Sequence, residues 1–377
     1  LPNIKGLYFM SSRTTPPFRA DHVGSLLRPK IINDAFKNYK AGSITQDEVR
    51  AIEDKAIKDV IKLQTDVGLQ VVTDGEFRRA SYWSTFVERV NGLEISDSRF
   101  TFHDEDGNEQ KFTAPVVTSK VFRSGSISGN EFDFLKKNTS KTPKITIVSP
   151  PTMHMFRLNK TIRSGVYQTT KDYFLDLAQV FREEIKDLAD AGCTYVQLDD
   201  VPIPMLSDPL VQERVKAEGI EPSQLMNDYV DLFNDCLTDR PDGLTIAVHM
   251  CRGNYKGKFL SQGGYETFAD KFFNELNVDA FFLEYDSPRS GDFEPLRYVP
   301  KNKIVVLGLV SSKTPQIESK DDLKMRINEA AKFIDIDQLA LSPQCGFAST
   351  VAGNPITEND EKAKLALVVE VADEVWH

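Results

Sequence analysis

The sequence predicts a parallel (β/α)8 TIM barrel carrying one inserted β-hairpin. Three observations lead there. Eight short apolar runs read as strands, and most are followed by a segment of helical period. Strands that alternate with helices argue for a parallel sheet. The runs are apolar at nearly every position, as strands covered on both faces are. Residues that can carry chemistry fall just past the ends of these runs, where such barrels hold their active sites. A doubly wound open sheet is the runner-up, but the Gly-rich dinucleotide fingerprint expected after its first strand is missing.

The elements follow in order. Phe18 to Ser25 reads as the first strand, closing on a Gly24-Ser25 turn. Thr45-Gln-Asp-Glu48 is a capping box that opens a helix to about Val67. Val49, Ile52, Ala56, Val60 and Leu63 form its apolar stripe. Leu69 to Thr73 is the second strand and ends in Asp74-Gly75-Glu76. Residues from about 92 to 140 differ in character, with Asp104-Glu-Asp-Gly107-Asn as a turn between Phe/Thr/Val-rich runs. They read as an inserted hairpin, not a second domain. Lys144 to Val148 is strand three, and a helix follows from about Thr170 to Ala191. Cys193 to Leu198 is strand four and ends in Asp199-Asp200. Helices over about 208–217 and 222–239 precede strand five, Leu244 to Val248. A helix from Gly264 to Leu276 leads to strand six, Ala280 to Leu283, which ends at Glu284. Lys303 to Leu307 is strand seven. A helix from Lys320 to Phe333 leads to strand eight, Leu339 to Ser342, and a helix from Glu358 to about Val375 closes the chain.

Residues 18–377 are expected to form one catalytic domain after an N-terminal arm over 1–17. Leu1 to Ser12 reads as an expression remnant or a loose arm, with Met10 as a candidate natural start. The 377 residues are 40% hydrophobic and 27% charged, enough apolar content for one large core. No apolar run reaches the roughly 18 residues of a membrane span. No secretory leader pattern opens the sequence. A net charge of −10 argues against nucleic acid as the main partner. The four cysteines are widely spaced, so reduced thiols in a cytoplasmic protein are expected rather than a disulfide framework. Cys236 lies in an amphipathic helix and reads as core.

The stretch around strand five organises the chemistry. His249 and Cys251 are two apart at a strand end, so their side chains share a side. Glu284 and Cys345 follow strands six and eight. These four can converge on one tetrahedral ion, and two thiolates with an imidazole and a carboxylate suit zinc. Such a site lowers the pKa of an incoming thiol and keeps its sulfur nucleophilic. Glu76 and Asp199 are carboxylates at strand ends, suited to an ammonium group. Ser25 with its turn offers N–H and hydroxyl donors to a small polar group. The competing view makes Cys251 and Cys345 small buried hydrophobes and the acids solvated turn residues. Trp83 is either core or a stacking surface for a flat methyl donor.

These motifs together resemble the cobalamin-independent methionine synthase family, specifically its C-terminal catalytic barrel. The matching segments are His22-Val-Gly24-Ser25, Asp74-Gly-Glu76, Leu198-Asp199-Asp200-Val-Pro202, His249-Met-Cys251, Glu284-Tyr-Asp-Ser-Pro-Arg289 and Ser342-Pro-Gln-Cys345-Gly346. The resemblance runs from about Phe18 to the C-terminus. It implies Zn2+ held by His249, Cys251, Glu284 and Cys345. It implies that Glu76 and Asp199 bind the amino group of homocysteine and Ser25 its carboxylate. Asp199, His249 and Cys251 are then the catalytic residues of methyl transfer to homocysteine, giving methionine.

Three departures bear on the methyl donor. The long enzymes of the family carry a second, N-terminal barrel that supports folate binding. They also have a histidine after strand seven, where this chain reads Ser311-Ser312-Lys313. Strand four ends Asp-Asp-Val-Pro rather than Asp-Glu-Pro, which leaves the role of Asp200 open. The expected donor is a methyl-folate or a methylated corrinoid such as methylcobalamin, and a corrinoid protein becomes a partner in the second case. His22 and His154 are candidate proton carriers or structural residues. Two other readings stand beside this one: zinc-dependent alkyl transfer to another small thiol, and a metal-free lyase of the uroporphyrinogen decarboxylase type. Whether the chain forms a homo-oligomer is not legible.

Overall fold

The computed structural model describes residues 13–376, and the expected remnant over Leu1 to Ser12 lies outside them. Helix α1 spans Lys30–Lys40 and α2 Gln46–Asp66. The capping box of α2 is formed. The Thr45 hydroxyl accepts from Glu48 N–H at 3.3 Å, and Glu48 Oε2 accepts from Thr45 N–H at 2.7 Å. Val49, Ala56, Ile57, Val60 and Ile61 are buried along its length, the valines and isoleucines contributing about 1.5–3 kcal/mol each. Gly68, at φ +98°, ends the helix in the left-handed conformation. Strand β1 (Val71–Val72) is followed by α3 (Ser84–Arg89) and the long hairpin β2 (Val90–His103) and β3 (Glu109–Arg123). Helix α4 spans Gly129–Lys137 and β4 Thr142–Pro143. Strand β5 (Ile145–Val148), α5 (Thr152–Met155), α6 (Thr170–Asp190) and β6 (Tyr195–Asp200) come next. Helices α7 (Pro202–Met205), α8 (Pro209–Ala217) and α9 (Pro222–Cys236) lead to β7 (Thr245–Met250). The chain ends with α10 (Ala269–Glu275), β8 (Ala280–Glu284), β9 (Ile304–Val310), α11 (Lys320–Ala330), β10 (Leu339–Pro343) and α12 (Glu358–Trp376).

Six of the eight expected strands form one parallel sheet in the order β10-β9-β8-β7-β6-β5. Every residue of β5, β6, β8 and β10 is buried, as their unbroken apolar runs require. The first two expected strands are much reduced. Ala20 forms a single parallel bridge with Leu341, and Val71–Val72 pairs with Thr142–Pro143 just ahead of β5. The two segments meet through a side chain, with the Thr73 hydroxyl donating to Gly24 O at 2.6 Å. Gly24, at φ +132°, interrupts the extended run where a backbone ladder would continue. A closed ring of eight paired strands is therefore absent among the described residues. The fold shown is a mixed α/β fold on a parallel sheet.

The insertion also differs from the expected 92–140. The hairpin covers 90–123, and 129–137 is helical. The hairpin is tied to the loop after β7 by an antiparallel bridge between His103 and Phe259, with N–H to O distances of 2.8 and 2.9 Å. An ion pair between Lys258 and Asp104 reinforces it. No described helix is long and apolar enough to cross a membrane.

One buried acid in this frame gives a pH prediction. Glu361 on α12 is 1% exposed and accepts only the Leu27 N–H, at 2.8 Å. Burial pushes its carboxyl up to about 8. Between its ordinary value and 8 the folded chain holds a proton that the unfolded chain has lost, so stability falls as pH rises. Urea titrations at pH 5 and pH 8 are expected to show that loss in the natural chain and a smaller one in Glu361→Gln.

Candidate metal and substrate site

The sheet register sets the site. In parallel pairing Asp199 of β6 lies beside His249 of β7, and His249 beside Phe282 of β8. Two residues on, Cys251 and Glu284 keep the same face. Cys345 arrives past β10, where the register shifts between Ser342 and Pro343. The next residue must be glycine: a Cβ at Gly346 would stand 1.9 Å from Ser25 Oγ. That close approach seats the Ser25 turn against the Cys345 loop.

His249, Cys251 and Cys345 converge. Their ligand atoms lie within 4.8 Å of one another, and all three residues are buried. Neither ring nitrogen of His249 has a hydrogen-bond partner. A buried imidazole without a partner is costly unless something else binds it. The donor set therefore fits a soft divalent ion. Burial alone would lower His249, but contact with and charge on Cys345 outweigh it and raise the imidazole. Cys345 is held well below the ordinary thiol value, chiefly by a hydrogen bond from Cys251 and also by His249. Cys251 is pushed well above, by the Cys345 sulfur and by burial. Of the two thiols Cys345 is the more acidic.

Glu284 stands apart from these three. Its Oε1 accepts from Arg289 at 2.6 Å and Lys313 at 2.9 Å, and its Oε2 from Arg252 N–H at 2.7 Å. Burial opposes its ionisation, yet Lys313, Arg289 and Arg252 prevail and keep it well below the usual carboxylate range. No local sequence pattern signals this clamp. Arg289 sat inside a quoted motif without a role, and Lys313 was marked only as a departure.

Glu76 and Asp199 share the floor of the same chamber. Glu76 has φ +60°, a strained value for a non-glycine residue. Asp74 Oδ1 accepts its N–H at 2.9 Å and Arg28 donates to its carbonyl at 2.7 Å, which holds the strain. Glu76 Oε1 accepts from Thr146 at 2.7 Å, while its Oε2 is buried without a partner. Asp199 Oδ1 accepts from Gln197 Nε2 at 2.7 Å. Burial, then the Glu76 charge, pushes Asp199 up to about 7, and burial does the same to Asp200. Arg79, itself buried, stands 3.5 Å from Glu76 Oε1 and answers part of this charge; the second acid and the open Glu76 Oε2 leave room for one more cation.

The chamber has a volume of about 420 Å³. Ser25, Glu76, Asp199, Asp200, His249, Cys251 and Cys345 line it, together with Trp83 and the hairpin residues Phe102 and Phe112. The hairpin's part in the wall had no sequence signal. His22 and His154 do not line it. Burial and then Lys144 hold His22 well below its usual value. His154 Nδ1 sits 2.9 Å from the Tyr229 hydroxyl, and burial lowers it to about 4. Cys236 is buried and, like the other three cysteines, free.

Residues 18–374 match the family described as cobalamin-independent synthase, catalytic domain. The chain belongs to this family. It is 42% identical over 364 residues to the uncharacterised protein YxjH of Bacillus subtilis, covering 96% of this chain and 95% of that one. A methionine synthase of Sulfolobus acidocaldarius is 23% identical, with 86% of this chain and 84% of the relative covered. A solved structure from Listeria monocytogenes, named a putative vitamin-B12-independent methionine synthase, aligns with a TM-score of 0.75 and 31% identity. That alignment covers 97% of this chain and 100% of the other. A B12-independent methionine synthase from Shewanella sp. W3-18-1 shares the fold, at a TM-score of 0.71 and 21% identity over 95% of this chain and 97% of that one.

Proposed function

We propose that this family member is a zinc-dependent S-methyltransferase that methylates the thiolate of homocysteine to give methionine. One observation carries the reading: three metal-type donors within 4.8 Å share a chamber with two buried acids, one with an unpartnered oxygen. Family membership and the relatives named methionine synthase support it. The Shewanella structure is described as a complex with selenomethionine, a selenium analogue of the product proposed here. In this reading the six-stranded sheet and the two bridging segments make a (β/α)8 barrel.

Each residue then has a task. Glu76 and Asp199 bind the amino group, and Ser25 with its turn binds the carboxylate. His249, Cys251 and Cys345 would hold the ion, and Glu284 would be the fourth donor on giving up part of its contact with Arg289, Lys313 and the Arg252 N–H. The cations around Glu284 keep it ionised, the state a ligand requires. Zinc, when bound, lowers the pKa of the acceptor thiol and keeps its sulfur nucleophilic. The buried floor fixes the amino acid so that sulfur, methyl carbon and leaving group align.

The test is metal analysis followed by methionine formation from homocysteine. Methyl-folate, its polyglutamate form and methylcobalamin are offered side by side. The expected result is about one zinc per chain and product from homocysteine in preference to other small thiols. Less than about half an equivalent of zinc in chelator-free protein overturns the reading. Alkylation of a different thiol, or metal-free porphyrinogen turnover, would favour one of the rival activities.

A further inference from the structure

The chamber above the metal-type residues is shaped and charged for the methyl donor. Its outer wall is aromatic. Phe102 and Phe112 of the hairpin have ring centroids 4.9 Å apart. Phe112 meets Phe156 at 5.1 Å, and Phe102 meets Tyr255 at 5.5 Å. Trp83 lines the same space. The floor is acidic. Glu76, Asp199 and Asp200 are buried there; Arg79, behind the floor, stands 3.5 Å from Glu76 Oε1, and among the described residues no buried lysine or arginine reaches the chamber surface. Lys111 and Glu88, both exposed at the rim, offset each other. The ammonium of an amino-acid acceptor answers Glu76 and Asp199. It leaves Asp200, whose Oδ2 is buried without a hydrogen-bond partner.

Asp200 Oδ1 accepts the Ile203 N–H at 2.8 Å, so only Oδ2 is open, and a cation seated beside it would favour its ionised form; aromatic faces next to that oxygen add to the attraction. We infer that the methyl donor is a small methylsulfonium, seated between the aromatic wall and Asp200. The inference rests on the S-methyltransferase reading and names its second substrate. The leaving-group chemistry agrees. The acceptor thiolate forms a bond to the methyl carbon, the C–S⁺ bond breaks, and its electron pair returns to the donor sulfur. One anion and one cation become two neutral thioethers, and no proton is needed. The chamber suits such a reaction. Among the described residues His249 is the one imidazole lining it, and Lys313 nearby is bound to Glu284 at 2.9 Å. A tetrahydropterin amine, by contrast, must be protonated as it leaves. A corrinoid is too large to be enclosed in a space of about 420 Å³ and would have to present its methyl group from the mouth.

The test uses dimethylsulfoniopropionate and its uncharged carbon isostere, 4-methylpentanoate. Calorimetry on the zinc-free protein reads the charge preference alone. The sulfonium is expected to bind at least about tenfold tighter. Asp200→Asn should bring the two to within about twofold, and Tyr255→Leu should weaken the sulfonium selectively. With zinc and homocysteine present, the sulfonium should give methionine faster than methyl-folate or methylcobalamin. Equal affinity for the two probes, or faster product from either other donor, overturns the inference and leaves the S-methyltransferase reading standing. Homocysteine binding to the zinc-loaded protein is measured separately. Its absence removes that reading, while the probe comparison still reports on the chamber.

Discussion

Cys345→Ser is expected to leave the purified protein nearly free of zinc and to lower methionine formation by at least about a thousandfold. The Cys345 sulfur has the dominant hydrogen-bonding and electrostatic effect on both of its neighbours. It raises the His249 imidazole, and Cys251 in turn lowers the Cys345 thiol. A serine hydroxyl is a harder and far less acidic donor, so it cannot replace a thiolate toward a soft ion. Volume changes little, so the loop and the Ser25 contact should persist. Cys236→Ser is the control: that thiol is buried in α9 outside the chamber. Metal analysis with circular dichroism separates a lost ion from a lost fold. Full zinc occupancy in Cys345→Ser would place the ion elsewhere.

Glu76→Gln is expected to lower kcat/KM for homocysteine by roughly a hundredfold or more, in line with removal of one partner from a buried charge pair. Its zinc content should not change. The amide keeps the size of the side chain and the left-handed backbone already held by Asp74 and Arg28. What disappears is the negative charge beside Asp199. Loss should therefore appear as weaker binding of homocysteine, and a simple thiol without an amino group should be affected little. Steady-state kinetics with both thiols checks this. Equal losses for the two would assign Glu76 a structural task instead.

Much of this was legible because the informative residues are local. The six sheet strands are short, apolar and bounded by helices, so period and composition found them. His249 and Cys251 were paired by spacing alone, and Glu76, Asp199 and Cys345 stood out as reactive types at strand ends. What was missed depends on distant packing. The reduced strands at Ala20 and Val71–Val72 look as apolar as the others, but Gly24 breaks the first. Helix α1 carries Ile32, Ala35, Phe36 and Tyr39 at helical spacing, but it is short and starts after Pro29 with no side-chain cap to mark it. The clamp on Glu284 unites positions 284, 289 and 313, and no local pattern connects 284 with 313. The hairpin was visible as a turn between apolar runs, but nothing in it told which way it would fold over the sheet.

That placement ties the entrance to the chemistry. His103 and Phe259 exchange backbone hydrogen bonds, and a Cβ at Gly253 would stand 2.9 Å from the Phe102 ring. The lid is thus stitched to the very segment that leaves Cys251. A shift of the hairpin away from the chamber would pull on the backbone that follows Cys251.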